Sequence, residues 1–163
     1  MDKPKIYLAG SINGLTYSDA VEWYSEVALY LPEFELLTPM REKNELKGCF
    51  IDRELVSKYA GHRFIGSSGI VRRDKIDVRR CDAVLANLRQ TIVPAIGTAC
   101  EITLAYELRK PVICAMADTS PNNPNTHPFI TQACDWIVPT IKEACVIIRS
   151  IFNYPALDKD EVT

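Results

Sequence analysis

Five short apolar runs recur along this chain, KIYLA (5–9), FELLT (34–38), DAVLANL (82–88), PVICAM (111–116) and WIV (136–138), and segments with helical spacing stand between them. That alternation leaves few architectures open. Parallel neighbouring strands need a crossover connection, usually a helix, and the helices then cover both faces of the sheet. The expected fold class is α/β, a flavodoxin-like three-layer sandwich with a mainly parallel five-stranded sheet in the order 2-1-3-4-5. In such sheets ligands bind beyond the carboxyl ends of the strands, where the strand order reverses. The turn after the first strand (10–14) is therefore expected close to the loop and helix after the third (90–101).

With 163 residues there is enough chain for one sizeable core and not for two. The expected organisation is a single domain over 1–155 and a frayed tail over 156–163. A net charge of −2 and no long basic tract argue against a nucleic-acid polymer or a membrane surface as partner. No apolar run reaches the length of a membrane span, and MDKPKIYLAG lacks a signal-peptide pattern, so a cytoplasmic protein is expected. None of the six cysteines forms a CxxC pair, which fits free core thiols in a reducing compartment. His62 and His127 lie near no further ligand residues, so neither a metal nor an organic cofactor is expected.

The helical segments cover 17–31, capped by Thr16 or Ser18, then 70–81, 98–109, a short piece at 129–135, and 141–152 behind a Thr140/Glu143 capping box. Residues 40–69 are too long for a plain connector and carry Gly48, Gly61, Gly66 and Gly69. Some helix together with a mobile binding segment is expected there.

Two acidic residues sit where apolar ones belong. On a wheel of about 100° per residue, Ile102, Ala105 and Leu108 form the apolar stripe of one helix, and Glu101 falls inside it. In the preceding helix Ile70, Val71, Val78 and Cys81 share a face with Asp74 in its middle and Asp77 at its edge. Each position also has a structural reading. Thr98-x-x-Glu101 fits a capping box, and Asp74 has Arg72, Arg73, Lys75 and Arg79 nearby as ion-pair partners. On the residues alone both readings stand. Two carboxylates at one cleft would suit chemistry at an anomeric carbon, one as nucleophile on an oxocarbenium-like centre and the other moving the leaving group's proton. Gly97 would let backbone approach a sugar.

In this order and spacing, IYLAGSING, RRDKIDVRRCDAVLANL, AIGTACEITLAYELRKPVI and HPFI resemble the nucleoside 2-deoxyribosyltransferase family and the related deoxynucleoside 5′-monophosphate N-glycosidases, over about residues 5–149. The resemblance implies that Glu101 is the nucleophile, that Tyr7 hydrogen-bonds and orients it, and that Asp74 handles the proton of the leaving and entering base. Gly10, Ser11, Ile12, Asn13 and Gly14 would lie along the ligand, with Gly97 and Thr98 across from them. It further implies a nucleoside or nucleotide and a free nucleobase as partners, and a homodimer or higher homo-oligomer.

The family pattern is broken at three places. Ala95 stands where relatives carry an acidic residue or a serine, Asn13 stands where the nucleotide hydrolases carry a base, and Asn153 and Asp158 are unaligned candidates for a tail residue donated to a neighbouring subunit. Arg41 or Lys43, after the second strand, could meet a 5′-phosphate. Arg72, Arg73, Lys75, Arg79 and Arg80 read as a solvated face, His127 as a loop-ordering residue, and Trp23 and Trp136 as core. The helix pair 20–31 and 141–152 could serve an interface. The leading expectation is transfer of 2-deoxyribose between nucleobases through a covalent glycosyl-glutamate. Hydrolysis of deoxynucleoside 5′-monophosphates is the first alternative, and a non-catalytic nucleotide-binding or sensing protein the second.

Overall fold

The structure is a computed structural model that describes residues 2–89 and 94–156. Its sheet has the strand order β3-β1-β5-β6-β7, with β1 at Lys5–Gly10, β3 at Glu35–Leu37, β5 at Ala83–Asn87, β6 at Val112–Ala115 and β7 at Trp136–Val138. Every pairing in this sheet is parallel, so in chain order the strands run 2-1-3-4-5 as expected. A second, antiparallel pair joins β2 (Leu15–Thr16) to β4 (Phe50–Ile51). Two-residue strands leave no periodicity to read, which is why the sequence did not reveal them.

The pleat of β1 sorts the two faces. Ile6 and Leu8 point to one side, where α1 (Tyr17–Tyr30) and α6 (Ile141–Ile151) pack through Val27, Leu31, Ile141 and Ile148. Tyr7 and Ala9 point to the other, beneath α3 (Ser67–Arg80), α4 (Ile96–Glu107) and α5 (Pro128–Thr131). α1 and α6 bury Val27, Ile141 and Ile148 in this core and leave Leu29 and Val146 exposed. Arg149 ties the layer together, with a bidentate contact to Glu33 at 2.7 and 2.9 Å and a bond to the Pro155 carbonyl.

The expected caps on α1 and α6 are present, since Thr16 accepts from the Asp19 amide and Thr140 from the Glu143 amide. The helix boundaries around the carboxylates differ from expectation. α3 begins at Ser67 rather than 70, because Gly69 tucks its first turn under the preceding loop. A Cβ at Gly69 would lie 2.0 Å from the Arg63 carbonyl oxygen. Val71 is exposed, so the buried side of α3 carries Asp74, Asp77 and Val78. Trp136, expected in the core, is 42% exposed at the sheet edge. Between β3 and α3 the chain holds β4, α2 (Arg53–Lys58) and a run of tight turns. Apart from Ala156, the tail expected to fray lies outside the described residues, as does Asp158.

No helix among the described residues is long and apolar enough to cross a membrane.

Candidate active site

α4 starts at Ile96, with Ala95 as its N-cap residue. Thr98 is then the third helical residue and not a cap, so the capping-box reading of Glu101 does not hold. The Glu101 carboxylate instead accepts a 2.6 Å hydrogen bond from the Tyr7 hydroxyl, across 94 residues of sequence. The pleat of β1 and the first turns of α4 make that contact. Tyr7 is the residue of β1 that faces α4, and Glu101 lies over the end of the same strand.

Asp74 opens onto the same place from α3. A cavity of about 320 Å³ is lined by Asp74, Glu101, the β1 turn from Gly10 to Asn13, and the start of α4 with Ala95, Gly97 and Thr98. Its volume suits a small molecule. Gly10 allows the β1 turn to form against the core, because a Cβ there would meet the Trp23 ring at 3.0 Å. Asp74 is buried, and its Oδ1 has no hydrogen-bond partner among the described residues. The nearest cation, Arg73 Nε, stands 3.9 Å away. The Arg73 guanidinium spends its other nitrogens on the carbonyls of Pro39 and Arg41. Arg73 thus braces a loop instead of facing solvent, contrary to expectation. The Ser11 hydroxyl, also on the cavity wall, is likewise buried and without a partner among the described residues. Buried polar atoms normally find partners, so two unpaired ones on residues that line one cavity mark it as a place for polar groups of a ligand.

Arg41 and Gly14 do not reach the cavity. The Arg41 guanidinium lies 2.5 Å from Asp77, which also pairs with Arg80 at 3.0 Å, and the Gly14 amide donates to the Ile51 carbonyl at 2.7 Å. Lys43 takes the place that Arg41 was expected to hold. It is 2% exposed and lines the cavity. Successive turns run Lys43 N–H to Met40 O and Leu46 N–H to Lys43 O, each closing over three residues. Tight turns of that kind eclipse side chains three apart, which aims Met40, Lys43 and Leu46 the same way. The Met-x-x-Lys-x-x-Leu spacing is a signal the sequence does offer.

Asn125 is a residue beyond the sequence expectations. It is fully buried, and its side-chain carbonyl accepts from the Ala95 amide at 3.0 Å, fixing the start of α4. The Pro/Asn loop is therefore a brace for the cavity. Within it the His127 ring accepts from the Phe129 amide, an ordering role as expected.

The electrostatics follow from burial. It pushes Glu101 up to about 8; the Tyr7 hydrogen bond opposes that rise, Asp74 adds to it, and Lys43 opposes it. Burial also raises Asp74 to about 6, against the pull of Lys43 and Arg73. Lys43 itself is lowered to about 8 by burial despite Asp74. Two carboxyls of one cavity therefore titrate near neutrality, as acid–base groups at reactive sites do.

A sequence profile for nucleoside 2-deoxyribosyltransferases matches residues 6–129. The chain belongs to the nucleoside 2-deoxyribosyltransferase family. The match contains Tyr7, Asp74 and Glu101. No protein of curated function matches the sequence. Among solved structures, a 2-desoxiribosyltransferase from Leishmania mexicana superposes with a TM-score of 0.60 at 17% identity, over 90% of this chain and 97% of that one. A conserved protein from Enterococcus faecalis V583 superposes with a TM-score of 0.61 at 20% identity, over 92% of this chain and 99% of that one. A CMP N-glycosidase from Clostridium botulinum gives 0.47 at 16% identity, over 90% and 98%. At these identities the likeness of the first two is one of fold. Membership of the nucleoside 2-deoxyribosyltransferase family rests on the sequence match. Among the described residues no group of three or more His, Cys, Asp and Glu side chains could hold a metal ion.

Proposed function

We propose that this protein transfers 2-deoxyribose between nucleobases through a covalent glycosyl intermediate on Glu101. The observation that carries the reading is the 2.6 Å bond from Tyr7 to Glu101 at a cavity that Asp74 also lines. The Glu101 carboxylate attacks the anomeric carbon while Asp74 gives its proton to the departing base. The incoming base then returns that proton to Asp74 as it displaces the carboxylate. Tyr7 holds one carboxylate oxygen, so the other faces the sugar. Ser11 and Asn13, both on the cavity wall, are the side chains this reading assigns to the sugar hydroxyls.

Incubating deoxyguanosine with free hypoxanthine and separating the products tests the reading. New deoxyinosine supports transfer. Free guanine with free deoxyribose would mean hydrolysis, and an unchanged mixture would contradict both.

The working form carries one proton for the two carboxyls, on Asp74, which is the less populated of its two placements because Glu101 has the higher pKa. With Asp74 near 6 and Glu101 near 8, kcat/KM should be bell-shaped, rising through about 6 and falling through about 8. Both flanks belong to the coupled pair. A profile flat from 5 to 9, about one unit beyond each flank, would contradict this pairing.

Tyr7→Phe removes a hydrogen bond to a charged group, worth about 1.5–3 kcal/mol. A loss of about 10- to 100-fold in kcat/KM is expected. Because that bond lowers the Glu101 pKa, the upper flank of the profile should move to higher pH in the variant. A uniform loss with unmoved flanks would make Tyr7 only a packing residue.

A further inference from the structure

The cavity has one feature that moving a sugar does not use. Lys43 is a cation with 2% exposure, and its ammonium makes no hydrogen bond or ion pair within 4 Å among the described residues. Its surroundings are apolar. Met40, Leu46, Ile51 and Ile65 form one buried cluster, and all four line the cavity with it. That makes an apolar slot with one buried cation in its wall, since Arg53, the other cation of the lining, is exposed. A flat heteroaromatic ring fits such a slot. A phosphate dianion would need several donors, and the nearby Arg41 and Arg73 are already engaged with Asp77 and with backbone carbonyls.

Lys43 also sits at the Asp74 end. Arg73, whose Nε lies 3.9 Å from Asp74, donates to the Pro39 and Arg41 carbonyls and so ties the loop that carries Lys43 to the Asp74 helix. On the reading that Asp74 protonates the base, the ammonium is therefore beside the base and not beside the 5′ end of the sugar.

The edge of a purine shows what such a pair can tell apart. A 6-oxopurine presents two neighbouring acceptors, N7 and O6, whereas a 6-aminopurine presents the N7 acceptor beside an amino donor. A protonated carboxyl and an ammonium are both donors, and an ammonium has no acceptor. Together they match N7 and O6 and meet the amino group of adenine with a buried donor.

We infer that Lys43 is a base-recognition residue that selects 6-oxopurine deoxynucleosides over 6-aminopurine ones by donating to O6. The inference rests on the proposed role of Asp74, and it is a statement about binding that does not require turnover.

Binding is therefore measured at pH 5, below the value of about 6 at which Asp74 loses its proton, on Glu101→Gln protein, with deoxyinosine and deoxyadenosine titrated by calorimetry. Deoxyinosine should bind at least about ten-fold more tightly, since a site built to donate rejects a ligand without the acceptor. Adding Lys43→Gln supplies an acceptor as well as a donor and should bring the two affinities within about three-fold of each other. Adding Lys43→Met should weaken deoxyinosine and leave deoxyadenosine unchanged or improved. Equal affinities in the Lys43 protein, a preference for deoxyadenosine, a ratio that survives Lys43→Gln, or binding of neither nucleoside would each overturn the inference. So would a Lys43→Gln effect confined to deoxyinosine 5′-monophosphate, because the ammonium would then serve a phosphate. The transfer assay is read separately, so failure of the chemistry and failure of base selection are distinguishable.

Discussion

Glu101→Gln should lose about 10⁴-fold or more in kcat/KM and yet melt at a higher temperature than the parent chain. The loss follows because a neutral amide cannot form the glycosyl ester. The gain follows from burial. The carboxyl titrates at about 8 in the folded protein, against an ordinary value of 4.5. From about 4.5 to about 8 the unfolded chain therefore binds fewer protons at this position than the folded one, and stability falls as pH rises through that window. Glutamine carries no charge to desolvate and can still accept from Tyr7. Each kcal/mol recovered at neutral pH raises Tm by about 2–4 °C in a chain of this size. Thermal scans at two pH values check it. The difference in Tm between variant and parent should be larger at pH 8 than at pH 4.5, each a limit of that window. An inactive variant that melts lower at both would place Glu101 among the structural residues.

The second large effect is at Asp74. Asp74→Asn removes the proton donor but keeps the shape, and with ordinary purine deoxynucleosides it should cost about 10²- to 10⁴-fold in kcat/KM. The loss should be far smaller for a 7-methylpurine deoxynucleoside, whose base is already cationic and leaves without a proton. Comparing the two substrates separates the chemical role from a structural one. Equal losses would mean that Asp74 acts by packing or charge alone.

The sheet order was legible because five apolar runs alternate with helical spacing, and a parallel sheet connected by helices has few arrangements. Asp74 and Glu101 stood out as breaks in pattern, while Tyr7 was named only through the family resemblance. Two carboxyls on apolar faces each carry a desolvation cost that a plain core would avoid. Whether Glu101 was a cap or a site residue depended on where α4 begins, and that is decided by Asn125 holding the Ala95 amide. Such a contact crosses 30 residues, and no local pattern encodes it. Arg41 and Lys43 are two residues apart with similar chemistry. Only the succession of three-residue turns decides that Lys43 faces the cavity while Arg41 turns to Asp77. Val71 and Trp136 were misplaced for a related reason. Apolar character alone does not tell which side of a helix, or which edge of a sheet, neighbouring segments will cover.

Rapid quenching of the enzyme with a deoxynucleoside in the absence of acceptor base, followed by peptide mass spectrometry, tests the covalent step most directly. The account predicts a 2-deoxyribosyl adduct on the peptide containing Glu101, absent in Glu101→Gln and discharged when hypoxanthine is added. Turnover with no adduct at any quench time, or an adduct on another residue, would contradict it.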